Sequence, residues 1–87
     1  MGEEKIRMYG TLWCPDCTRA KQILNKLNIP FEWIDIEQDE AALAYVVKIN
    51  KGYKSVPTIV FPDGSILVEP SNAQLEKKLK ENQLIKN

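Results

Sequence analysis

Cys14 and Cys17 are the only cysteines in this 87-residue chain, and Pro15 and Asp16 separate them in a C-x-x-C spacing. Two sulfurs so placed, where an early apolar strand gives way to a helix, point to thiol–disulfide chemistry. Pro15 fits the first helical position, where its missing N–H costs nothing, and this makes Cys14 the N-cap. Unpaired backbone N–H groups then face its sulfur. With the helix dipole they favour the thiolate, the attacking species, and the expected effect is to draw the pKa from about 8.5 towards 7. Cys17 lies one turn later on the inward face and suits the resolving role.

The charges nearby pull in opposite directions. Asp16 favours a helix N-terminus, yet a like charge close to Cys14 works against the thiolate. Arg19 and Lys21, within one or two turns, are expected to offset it weakly because long exposed side chains are screened. The chain has no histidine, so activation by an imidazole base is excluded. Bland readings of the pair are poor. A disulfide closing four residues would contribute roughly 2 kcal/mol as a staple before strain. A zinc site wants four Cys or His ligands, so no metal site is expected within the chain itself.

The elements that must position these sulfurs can be read from periodicity. Ile6 to Tyr9 reads as a strand leading into Gly10-Thr11-Leu12-Trp13. Cys17, Ala20, Leu24 and Leu27 then recur at helical spacing, and Asn28-Ile29-Pro30 ends that helix. Phe31 to Ile36 reads as a second strand. Asp39 caps a second helix with Ala42, Tyr45, Val46 and Ile49 on one face, ended by Asn50-Lys51-Gly52. Val56 to Phe61 and Ile66 to Val68 flank the turn sequence Pro62-Asp63-Gly64-Ser65 and predict a hairpin. Ser71 with Gln74 matches a capping box, and Leu75, Leu79 and Ile85 predict a final helix. The order βαβαββα, with no repeat or linker, predicts a single α/β domain over residues 1–87 with a mixed four-stranded sheet and three helices.

Composition narrows the classes further. Twelve Lys plus Arg balance twelve Asp plus Glu, so no basic field suggests a nucleic-acid or membrane partner. The stretch from Met1 to Ile6 carries acids and no apolar signal region, and two close cysteines are too few for a secreted disulfide scaffold. A cytoplasmic protein is the expectation.

Trp13-Cys14-Pro15-Asp16-Cys17, followed by Arg19-Ala20-Lys21 and later by Ser55-Val56-Pro57-Thr58, resembles the glutaredoxin branch of the thioredoxin superfamily over nearly the whole chain. The resemblance implies the thioredoxin fold and a cis bond before Pro57, a position that by itself reads as a strand start. It further implies that Val56, beside Cys14, offers backbone groups to a substrate thiol or peptide, paired like a short added strand. Trp13 then reads either as a wall of the substrate groove or as packing. Lys54 matches a family Arg or Lys that could meet a substrate carboxylate, and otherwise is a solvated loop lysine. Trp33 is expected in the core, and Tyr9 near the site. Two departures stand out. Many glutaredoxins carry Lys where this chain has Thr11. Their Gly-Gly and Asp features before the last helix are replaced by Asp63-Gly64 and Glu69-Pro70-Ser71-Asn72, where Ser71 and Asn72 could still present N–H groups to an anion. The Asp-Gly-Ser and Pro-Ser pattern, with Trp before the first cysteine, resembles mycoredoxins and related donor-redoxin-like proteins.

The resemblance therefore implies a small dithiol oxidoreductase acting on protein disulfides or mixed disulfides. It is expected to bind no cofactor and to be a monomer. Its reductant is expected to be glutathione, mycothiol or thioredoxin reductase. Three rivals remain at this stage: an electron donor for ribonucleotide reductase, itself reduced by thioredoxin reductase; a non-enzymatic iron–sulfur carrier using Cys14 from two chains and two free thiols; and a bare thioredoxin-fold binding module with an inert disulfide.

Overall fold

The computed structural model describes residues 5–85, so the reading of the N-terminal segment Met1 to Glu4 lies outside the described residues. The elements are β1 Ile6–Gly10, α1 Pro15–Lys26, β2 Phe31–Asp35, α2 Glu40–Ile49, β3 Thr58–Val60, β4 Ile66–Val68 and α3 Asn72–Glu81. Their order is the βαβαββα expected from the sequence. The four strands form one mixed sheet in the spatial order β2-β1-β3-β4. β1 pairs parallel with β2, while β3 pairs antiparallel with both β1 and β4. This is the thioredoxin fold. No described helix is long and apolar enough to cross a membrane.

Alternation along the strands divides the core. Ile6 and Met8 of β1 and Ile59 of β3 point to one face, where Ala20 and Leu24 of α1 and Leu75 and Leu79 of α3 cover them. Tyr9 and Val60 point to the other, against Ala42 and Val46 of α2. Trp33 is half-buried, packed against the first cluster. Tyr9 belongs to the second, its ring 5.2 Å from that of Tyr45 and its hydroxyl accepting from Arg7 at 3.1 Å. The central strand is thus gripped from both sides, which fixes the end of β1 from which the cysteine loop departs.

Two expectations about element ends are corrected and a third is met. The final helix stops at Glu81 and does not reach Ile85. Gln83 turns left-handed at φ 60, the Leu84 N–H donates to the Leu79 carbonyl at 2.9 Å and the Gln83 N–H donates to the Lys80 carbonyl at 2.9 Å. This stop satisfies carbonyls of the last turn and folds Leu84 and Ile85 back onto the core. α2 ends within Asn50-Lys51-Gly52 as expected, with Asn50 as its cap and both Lys51 at φ 57 and Gly52 at φ 103 in the positive-φ region. β3 begins at Thr58 and leaves Val56 outside the strand. Pro57 has no N–H to donate to a ladder.

Candidate active site

α1 begins as its sequence dictates. Pro15 occupies the first turn, and Cys14 is the N-cap, extended at φ −85 and ψ 114. Its Sγ accepts the Cys17 N–H at 3.1 Å, while its carbonyl accepts the Thr18 N–H at 3.1 Å and the Thr18 hydroxyl at 3.3 Å. The sulfur therefore fills the place of the capping oxygen, facing donors whose bond to it strengthens when it carries charge. The Cys14 thiol can also donate to the Val56 carbonyl, 3.8 Å away. Pro57 follows through a cis peptide bond, as the family resemblance implied.

Both sulfurs are free thiols. Cys14 keeps 5% of its surface and Cys17 none, so Cys14 is the one a substrate can reach. Burial pushes the Cys17 thiol up to about 12, helped by its hydrogen bond to Cys14 and opposed by the Thr11 backbone and Lys21. Cys17 thus stays protonated while Cys14 is free. Gly10 makes room for it: a Cβ there would stand 2.6 Å from the Cys17 Sγ.

The charged neighbours differ from the sequence expectation. Arg19 does not hang loosely in solvent. It donates to Asp16 at 3.0 Å and to the Pro70 carbonyl at 3.0 Å, tying α1 to the loop before α3. Lys21 stacks on Trp33, Nζ 3.8 Å from the ring centroid, and bears on Cys17. Ser71 forms the capping box expected from the sequence: its N–H donates to the Gln74 side chain at 2.8 Å, and its hydroxyl accepts the Gln74 N–H at 3.1 Å. Asn72 opens α3 behind that capping box.

Trp13 is exposed but tethered, its Nε1–H donating to Glu37 at 3.0 Å. It shares a cavity of about 420 Å³ with Lys54 and Val56. Gly10, Glu37 and Glu40 escaped the sequence reading, and Thr11 entered it only as the residue standing where many glutaredoxins carry Lys. Only Gly10 carried a local signal, since glycine at a strand end marks close approach. Glu37 meets Trp13 across 24 residues, and nothing local announces such a pair.

A family model for glutaredoxin matches residues 6–66. A Mycobacterium tuberculosis protein described as a glutaredoxin is 39% identical over 74 residues, spanning 85% of this chain and 88% of that protein. Mycoredoxin 1 of Corynebacterium glutamicum is 33% identical over 74 residues, spanning 85% and 91%. The crystal structure of a glutaredoxin from Archaeoglobus fulgidus superposes with a TM-score of 0.66 at 30% identity, covering 94% of this chain and 88% of that one.

Proposed function

This chain belongs to the glutaredoxin family, and from that membership and the Cys14 geometry we propose that it is a dithiol thiol–disulfide oxidoreductase of the cytoplasm. The observation that carries the reading is Cys14 itself: a sulfur capping α1, accepting the Cys17 N–H at 3.1 Å and standing beside the Val56 carbonyl. The Cys14 thiolate attacks one sulfur of a protein or mixed disulfide, forming a Cys14–substrate disulfide and expelling the other sulfur as a thiolate. Cys17 then loses its proton and attacks Cys14. The substrate leaves as a second thiol, two electrons have passed to it, and a Cys14–Cys17 disulfide remains. Glutathione, mycothiol or thioredoxin reductase returns the electrons. Alternatively a small thiol attacks the mixed disulfide and Cys17 is bypassed.

Forming the mixed disulfide helps Cys17. Two of the causes that raise its pKa are the hydrogen bond to Cys14 and the Cys14 charge, and both change once Cys14 is bonded. The Thr11 backbone and Lys21, which favour the thiolate, remain. Trp13, Val56 and Pro57 are proposed as the substrate walls, and Lys54 as a charged edge.

Cys14→Ser should abolish reduction of hydroxyethyl disulfide, of insulin and of mixed disulfides alike. Retained activity would sink the assignment. Cys17→Ser should spare reactions completed by a small thiol and block those needing both sulfurs. A panel of glutathione, mycothiol and NADPH with thioredoxin reductase, read as the rate of Cys14–Cys17 reduction, identifies the reductant.

A further inference from the structure

The cavity beside Cys14 has a lining suited to a ligand of particular charge. We propose that it receives a lysine or arginine side chain flanking the target cysteine in a protein disulfide, a proposal that rests on the exchange chemistry assigned to Cys14. Val56 connects the two places, since it lines the cavity and its carbonyl stands 3.8 Å from the Cys14 sulfur. An extended peptide advances about 3.3 Å per residue, so a residue one or two positions from the substrate cysteine reaches the cavity.

The walls match a long cationic side chain part by part. Ile36 and Leu43 offer apolar surface to its methylene stem. Trp13 offers an aromatic wall, and a cation over an indole face is a favourable contact that this chain already makes internally between Lys21 and Trp33. Glu37 steadies that wall with one carboxylate oxygen on the Trp13 Nε1–H. Its own N–H is held by the Asp35 carboxylate at 2.9 Å, and the preceding Ile36 N–H by the Gly10 carbonyl at 3.0 Å. Glu40 adds a second carboxylate from the first turn of α2.

Thr11 completes the lining at 2% exposure, its hydroxyl closed off from the cavity and without a hydrogen-bond partner among the described residues, so the charge preference is set by the carboxylates. Lys54 opposes this preference from the exposed edge, but two carboxylates against one ammonium leave the lining net negative.

The test uses the full chain and two disulfide-linked peptide pairs, identical except that the residues within two positions of cysteine are Lys in one and Glu in the other. The wild-type protein should reduce the Lys pair with about fivefold higher kcat/KM, the scale of one or two part-exposed charge contacts. Glu40→Gln should shrink that ratio, and Glu40→Lys should invert it. Glu40 is exposed, so neither substitution threatens the fold. Equal reduction of the two pairs by the wild type, or preference for the Glu pair under the pull of Lys54, overturns the proposal while leaving the exchange chemistry intact. Reduction of neither pair overturns the exchange chemistry and the subsite with it.

Discussion

Replacing Gly10 with alanine should injure stability and the resolving step together, and the structure gives the size of both. A Cβ at the end of β1 would stand 2.6 Å from the Cys17 sulfur and 2.7 and 2.9 Å from two ring carbons of Trp33. Ordinary contact begins at 3.4 Å, so the sulfur must retreat by about 0.8 Å. Cys17 is fully buried, so the sulfur can retreat only against its packed neighbours. Gly10 is not among the residues with positive φ, so the penalty is one of volume, not of backbone conformation. Overpacking of this kind costs about 1–3 kcal/mol, and each kcal/mol lowers Tm by about 4–8 °C in a domain of this size. Moving one sulfur of a reacting pair by most of an ångström should slow Cys17 attack on a preformed mixed disulfide by up to about 100-fold. The first attack by Cys14 should change far less. Urea unfolding reads the first effect and stopped-flow release of a chromogenic thiol the second. In a Cys17→Ala background the sulfur clash is gone and only Trp33 must shift, so the stability cost of Gly10→Ala should fall by more than about 0.5 kcal/mol. A variant within about 0.5 kcal/mol of wild type, with no coupling to Cys17→Ala, would refute the packing argument.

Alkaline pH should act through Cys17. Its thiol is raised from 9.0 to about 12, so the folded chain holds the proton more tightly than the unfolded chain. Stability from this group is complete below pH 9 and is lost as pH rises towards about 12; Cys17→Ala should flatten that loss in unfolding experiments from pH 8 to 11, and an unchanged pH dependence would contradict the assignment. Thr58→Val should cost about 1–3 kcal/mol, because the buried hydroxyl donates to Ser55 at 2.7 Å and accepts from Asn50 at 3.1 Å. Thr58→Ser should recover much of it, and equal denaturation midpoints for Thr58→Val and wild type would show that the network carries no stability. Arg19→Gln should cost about 0.5–1 kcal/mol, more than Asp16→Asn, because the half-exposed ion pair is screened whereas the bond to Pro70 ties two elements. The reverse order in thermal melts would show the ion pair to be the stronger contact.

The sequence carried the local half of this molecule. Helical spacing from Cys17 to Leu24, proline after Cys14, and the Ser71–Gln74 pair each act within one or two turns, and each element appears where those signals lie. Helix ends were less legible. Ile85 keeps the apolar spacing of α3, yet the chain turns at Gln83, and an apolar residue packs onto the core equally well from a turn. The polar furniture of the site was illegible because it is made across the fold. Arg19 reaches Pro70 across 51 residues and Trp13 reaches Glu37 across 24, distances at which spacing says nothing. Arg19 and Lys21 look alike as flanking cations; one is turned to a carbonyl and the other to an indole by what packs beside them.

The near-complete burial of Cys14 bears on the targets as much as on this chain. A cysteine residue showing 5% of its surface is approached along a narrow set of directions, and disulfide exchange needs the attacked bond to lie along the line of approach. A target disulfide in a mobile, extended segment can meet that demand at once. One clamped within a folded domain must first open locally, and every 1.4 kcal/mol of opening free energy reduces the reactive population tenfold. In the proposed reaction the chain would thus sort disulfides by the local stability of the proteins that hold them.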